Sequence, residues 1–165
     1  MQVVSRKEKK FLVDLAGAKK LEGILASVVA PDPHNGLQGY PIRSLYFDTL
    51  HDRDYAEKLM GTDPRRKVRL RVYDPAADFA LLELKQKQGE NQRKRSLPLT
   101  QAEARRLIDG DADVLLTHEE PFAAEMHALM SINGYSPKAI VEYDRMAFVA
   151  KENKTLVTFD RSVRA

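Results

Sequence analysis

Between Lys67 and Lys87 the sequence reads KVRLRVYDPAADFALLELKQK, and charged and apolar side chains alternate on both sides of a short break. Lys67, Arg69, Arg71 and Tyr73 share one parity, with Val68, Leu70 and Val72 on the other. After the break, Glu83, Lys85 and Lys87 oppose Leu82 and Leu84. Neighbouring strand residues point to opposite faces, so a period of two fixes a sheet with one apolar and one charged face. The break, Asp74-Pro75-Ala76-Ala77, predicts a hairpin turn. The apolar face demands a covering layer. The charged face is either solvated surface or the lining of an anion site, and spacing alone leaves both open.

The other segments follow the same logic. Val3 to Asp14 alternates and predicts a strand with the charged triplet Arg6-x-Glu8-x-Lys10 on one face. Leu21, Ile24, Leu25 and Val28 stand at helical spacing within 15–29, and Pro31 and Pro33 end that helix. Residues 31–39, PDPHNGLQG, read as a loop in which His34 has no evident partner. Ile42 to Thr49 alternates as a strand. Asp48 or Thr49 is placed to cap a helix over 52–60 that Gly61 ends, with Tyr55 and Leu59 expected to face the core. His51 reads as a loop residue. A turn at Gln88-Gly89-Glu90-Asn91 leads to a strand over 92–99 carrying Arg93, Lys94 and Arg95. Thr100-x-x-Glu103 has capping-box form and opens a helix that Gly110 stops. A further helix spans 121–132. Lys138 to Ala150 reads as a long strand, Lys151-Glu152-Asn153-Lys154 as a turn, and Thr155 to Asp160 as its partner.

Strands that come as antiparallel hairpins with helices between them define an α+β domain, and 165 residues suit one domain over 1–165. A curved sheet or barrel is the natural use of several strands sharing a charged face. Cations crowded inside a barrel need an anion, and arginine forks bind phosphate bidentately. The 27 basic and 24 acidic residues balance too closely for a general nucleic-acid binder, so anion preference must come from local arrangement. Aromatic residues, at 7%, are too few to interleave with the basic strands as stacking platforms. Cysteine is absent, which removes disulfides, thiolate metal sites and cysteine nucleophiles. Neither a transmembrane run nor a signal core is present, and a cytoplasmic location is expected.

An ordered set of motifs then carries a resemblance. Arg6-x-Glu8-x-Lys10-Phe11, SLYFDT (44–49), Tyr55-x-x-Lys58-Leu59, RLRVYD (69–74), LELK (82–85), Pro137, YDRMAF (143–148) and TFDRSVR (158–164) occur in the order seen in the VTC domain. That domain is the polyphosphate polymerase module of the vacuolar transporter chaperone. The resemblance implies the triphosphate tunnel fold, an antiparallel β-barrel with inserted helices. Arg6 stands where the related CYTH-type triphosphatases and cyclases open with glutamate, which favours the VTC branch.

The resemblance also implies function. Lys10, Arg69, Arg71, Lys85 and Arg145 match phosphate-contacting positions and are the expected catalytic set. Arg6, Lys87, Lys94 and Tyr143 are expected to bind substrate, and Glu8 and Glu83 to ligate Mn²⁺ or Mg²⁺. The implied reaction transfers the ATP γ-phosphate to a growing polyphosphate chain, with ATP and phosphate anions as partners. A non-catalytic polyphosphate-binding module and a tripolyphosphate hydrolase are the alternatives. Two departures bear on turnover. Leu156 stands where the family commonly has an arginine, and the chain ends at Ala165, before the strand expected to supply a further metal-binding glutamate.

Overall fold

A computed structural model describes residues 2–74, 76–150, 152 and 155–165, with side chains described from Val3 onward. The chain divides into two compact units, one of Met1–Glu8 with Arg43–Val141 and one of Lys9–Ile42 with Glu142–Ala165.

The first unit is a sheet covered by helices. Its strands are β1 (Gln2–Lys7), most of β3 (Tyr40–Asp48), β4 (Arg65–Val72), β5 (Phe79–Gln88) and β6 (Asn91–Thr100). They pair antiparallel in the order β1-β6-β5-β4-β3. The register places Val68 opposite Leu84, Leu70 opposite Leu82, and Leu82 opposite Leu97, so the apolar parities of three strands share one face. Helices α3 (Gln101–Ile108) and α4 (Pro121–Asn133) and the 3-10 turn Ala112–Thr117 cover it. Leu82, Leu97, Val114, Leu115, Ala123 and Met126 are fully buried there. The expected capping box is formed: Thr100 Oγ1 accepts from the Glu103 amide, and Glu103 accepts from the Thr100 amide at 2.7 Å. Arg95 clamps α4 to β6 by holding Glu125 through both terminal nitrogens (2.5 and 2.6 Å), with its guanidinium 4.7 Å from the Phe122 ring centroid.

Helix α2 (Arg53–Met60) hangs on one carboxylate. Asp48, buried at the end of β3, accepts from the amides of Thr49, Asp54 and Tyr55, while Thr49 Oγ1 accepts from Arg53. Both capping candidates therefore act. The expected inward face does not hold, since Tyr55 and Leu59 are well over half exposed. The buried residue is Asp54, which accepts from the Tyr135 hydroxyl at 2.7 Å. Burial, with Asp48 nearby, raises the Asp54 carboxyl above its usual range despite that bond and Arg66.

In the second unit, β2 (Ala30–Pro31) and β8 (Thr155–Arg164) pair antiparallel with the part of β7 (Ser136–Ala150) from Glu142 onward. Helix α1 (Leu15–Val28) is capped by Asp14, which accepts from the Gly17 amide. None of its residues is buried, so its apolar spacing fixes a helix without yielding a core face. Arg161 of β8 pairs with Glu22 of α1. His34 is exposed but has a partner after all, Asp32, 2.7 Å from its Nδ1. Gly39 has φ +91°, and a Cβ there would stand 2.2 Å from the Arg145 carbonyl oxygen, so glycine alone permits this approach to β7.

Three expectations need correction. The strand expected over 3–14 ends at Lys7 because its partner does. Lys7 pairs with Asn91, the first residue of β6, and beyond it the chain of β6 has turned away through Gly89-Glu90. The barrel is not closed. β1 pairs with β6 alone among the described residues and forms an open edge, exposed at Arg6 and Lys7, charged as edge strands commonly are. The tail 161–164 is strand, paired back to β7 with a register shift between Glu142 and Asp144. Of the expected turns at 74–77 and 151–154, Pro75, Lys151, Asn153 and Lys154 lie outside the described residues. No helix among the described residues is long and apolar enough to cross a membrane.

Leu82→Ala should destabilise the protein by about 2–5 kcal/mol, since it opens a cavity at a fully buried site. Asp48→Ala should lose about 1–3 kcal/mol by leaving α2 amides without an acceptor. Urea unfolding of both variants measures this, and a loss below the lower figure for Leu82→Ala would show that the helices do not pack on the sheet as described.

A candidate anion site on the charged sheet face

The parity that builds the core also builds the opposite face. Arg65, Lys67, Arg69 and Arg71 of β4 lie beside Glu83, Lys85 and Lys87 of β5, and these beside Gln92, Lys94 and Ser96 of β6. Arg6 of β1 stands opposite Gln92, and Ser44 and Tyr46 of β3 stand opposite Arg71 and Arg69. Eight cationic side chains thus share a face with the carboxylates of Glu83 and Glu8. This excess of one sign is what makes the face a candidate anion site.

Glu83 sits at the centre and is completely buried. Its Oε2 accepts from Arg69 Nε (2.7 Å) and Nη2 (2.6 Å), and Arg71 Nε lies 4.0 Å away. Its Oε1 accepts from Lys94 Nζ at 3.0 Å and from the Ser96 hydroxyl at 3.4 Å. Burial alone would raise this carboxyl. The cations of Arg69, Arg71 and Lys94 outweigh burial and hold it at about 2. A second pair flanks the first: Glu8 Oε2 accepts from Lys85 Nζ at 2.8 Å, with Arg6 4.0 Å from the other oxygen.

The hydroxyl groups of β3 orient the arginines. Arg71 Nε donates to Ser44 Oγ (3.1 Å) and Arg69 Nη1 to Tyr46 Oη (3.1 Å). Arg69 also lies 5.8 Å from the Tyr46 ring centroid and Arg71 5.7 Å from that of Tyr73. Burial works against ionisation of Tyr46, but Arg69, Arg71 and Lys67 together draw its phenol below the ordinary value.

The structure thus brings together, within the first unit, Arg69, Arg71, Lys85, Lys94, Glu83 and Glu8 of the expected residues, with Lys87 in register on the same face and Arg6 beside Glu8. It also settles the parity of β6. Lys94 points to the charged face, and Arg95 to the helices. Lys10, Arg145 and Tyr143 belong to the second unit. Lys10 is exposed and lies outside any strand. Arg145 donates from Nε (2.7 Å) and Nη2 (2.8 Å) to Asp160 of β8, and its guanidinium lies 5.3 Å from the Tyr143 ring. Asp160 and Tyr143 push the guanidinium pKa up although burial opposes this. Sequence reasoning missed Arg65, Ser44, Tyr46 and Ser96. The parity of Arg65 with Lys67 was a usable signal. The hydroxyl roles depend on register, which a sequence does not display.

Glu83 also sets a pH dependence. Its folded-state pKa is depressed from 4.5 to about 2, so its stabilisation is present above about 4.5 and lost as pH falls toward 2. The stability difference between wild type and Glu83→Gln should therefore shrink by on the order of 3 kcal/mol over that window. Urea titrations of both proteins across it test this, and a constant difference would show that Glu83 is not ionised among these cations.

A crystal structure of a candidate adenylate cyclase from Bacillus halodurans shares the fold with TM-score 0.55 at 13% identity, over 96% of this chain and 70% of that one. No curated protein matches the chain. The family model described as the VTC domain matches residues 5–165, and the chain accordingly belongs to the VTC domain family.

Proposed function

We propose that the charged face of the first unit binds a phosphate chain, tripolyphosphate or polyphosphate, and that the protein transfers the γ-phosphate of ATP onto such a chain. The observation that carries this reading is the excess of eight cations over two carboxylates on a single sheet face. Membership of the VTC domain family supports the same substrate class. The fold shared with the candidate cyclase is consistent with it but adds no chemistry.

Phosphoryl transfer needs little covalent chemistry from a protein; it needs alignment and charge neutralisation. Cations on parallel rows of β4, β5 and β6 present donors at regular intervals, as a chain of phosphates presents oxygens. Arg69 and Arg71 supply planar forks, oriented by Tyr46 and Ser44, and Lys85 and Lys94 supply point charges. In this reading the rows hold the anion in line and offset its charge as it shifts between oxygens.

The family resemblance implies Mn²⁺ or Mg²⁺, but Glu83 does not fit as a metal ligand. Both of its oxygens accept from cationic donors and the group is fully buried. Glu8 is engaged with Lys85. Among the described residues no three His, Cys, Asp or Glu side chains gather as a metal-binding group.

A second reading, a binding module without turnover, is favoured by one observation. Leu156 stands where the family commonly carries an arginine expected to contact phosphate. Three assays separate the readings. Titration calorimetry with tripolyphosphate tests binding. Incubation with ATP and Mn²⁺ followed by gel electrophoresis detects polymer. Phosphate release from tripolyphosphate detects hydrolysis. Binding with no polymer and no released phosphate would leave only the binding module. Lys85→Met should weaken tripolyphosphate binding roughly tenfold or more, the worth of a charge-assisted hydrogen bond. Unchanged affinity in calorimetry would place the anion elsewhere.

A further inference from the structure

We propose that Glu83 is a resident counter-anion that holds Arg69, Arg71 and Lys94 in place before any ligand arrives, and that it is a positioning residue rather than a metal ligand. This rests on the phosphate-binding reading and deepens it.

The argument begins with the strand order. β5 is flanked by β4 and β6, and the register sets Glu83 opposite Arg69 on one side and Ser96 on the other. A side chain here can reach both neighbouring strands, and Glu83 does. One oxygen serves β4 through Arg69, and the other serves β6 through Lys94 and Ser96. Its exposure is zero, while Lys94 keeps 21% of its side chain exposed and Arg69 12%. An incoming anion therefore meets the cations and not the carboxylate beneath them.

The charge count gives the consequence. Three buried or half-buried cations with no counter-charge would repel one another and be poorly solvated. One carboxylate relieves this and still leaves positive charge to attract a ligand. A phosphate chain then acts as a second partner for cations already held in position, which reduces the ordering needed on binding. A divalent metal at Glu83 would have to displace the very cations that keep the carboxylate ionised. Without the Glu83 charge, a phosphate chain would have more of the cluster's positive charge left to neutralise.

The test is thermal unfolding of the whole chain, wild type and Glu83→Gln, with and without sodium tripolyphosphate. It is run in chelator at matched ionic strength, with a separate arm containing Mn²⁺ alone. The amide preserves shape and removes charge. Glu83→Gln should melt lower than wild type without ligand. Tripolyphosphate should then raise its melting temperature by an increment at least about twofold larger than in wild type, because the ligand takes over the missing counter-charge. Mn²⁺ alone should not separate the two proteins further. An equal or smaller increment in the variant, with wild type responding, overturns the counter-anion role and leaves phosphate binding intact. A Mn²⁺-induced rise in wild type that the variant lacks would make Glu83 a metal ligand after all. No increment in wild type overturns the binding reading and this role with it. Should Glu83→Gln fail to fold, Glu83→Gln with Lys94→Met, which removes a cation together with the anion, is expected to recover folded protein; failure to do so overturns the proposal.

Discussion

A single buried carboxylate makes the charged face of this sheet possible. Arg69 and Arg71 of β4 and Lys94 of β6 crowd together over the intervening β5, and such a set is stable only if something negative lies among them. Glu83 fills that need from within the fold. Its effect is visible in its own ionisation, which the three cations hold near 2 against the opposing pull of burial. Glu8 does the same on a smaller scale for Lys85. The face is thus neither an uncompensated cluster of like charge nor a neutralised ion-pair network, and the proposed anion binding rests on that difference.

The same period of two serves both faces. On β6, Lys94 joins the ionic cluster while Arg95, one residue later, crosses to the helices, pairs with Glu125 and lies over the Phe122 ring. On β4, Val68 and Leu70 fill the core between the residues that carry charge. Any one-residue slip of register would carry arginines into the helix layer and leucines onto the anion face. Core packing therefore protects the site. The tightly buried rows Val68–Leu84 and Leu82–Leu97 fix the register that sets Arg69 beside Glu83.

What the sequence made legible follows from which interactions are local. The alternation at 67–87, the capping box at Thr100 and the Asp48 cap of α2 are short-range patterns, and each formed as expected. The misses are long-range. The end of β1 at Lys7 is decided by where β6 begins, some eighty residues later, and Lys10 lost its strand position for that reason. Helix α2 buries Asp54 instead of Tyr55 and Leu59 because Tyr135, distant in sequence, holds it there. In the site, charge parity revealed the cations but not their partners. Nothing in the spacing of Glu83 announces that both its oxygens are engaged, and a carboxylate among phosphate-binding residues reads naturally as a metal ligand until those partners are seen.

That distinction bears on what the face can do. A carboxylate available to a metal would help to polarise a transferring phosphoryl group. A carboxylate surrounded by guanidinium and ammonium groups contributes by keeping donors in fixed directions before the anion arrives, which favours holding a chain in register. Arg145 shows the limit of the arrangement. Its fork is held by Asp160 through Nε and Nη2, just as that of Arg69 is held by Glu83, but Arg69 is accompanied by a row of further cations on its face. The proposed pre-organisation by an internal carboxylate requires that cations outnumber it, and in the first unit that condition is met on the face built by β4, β5 and β6.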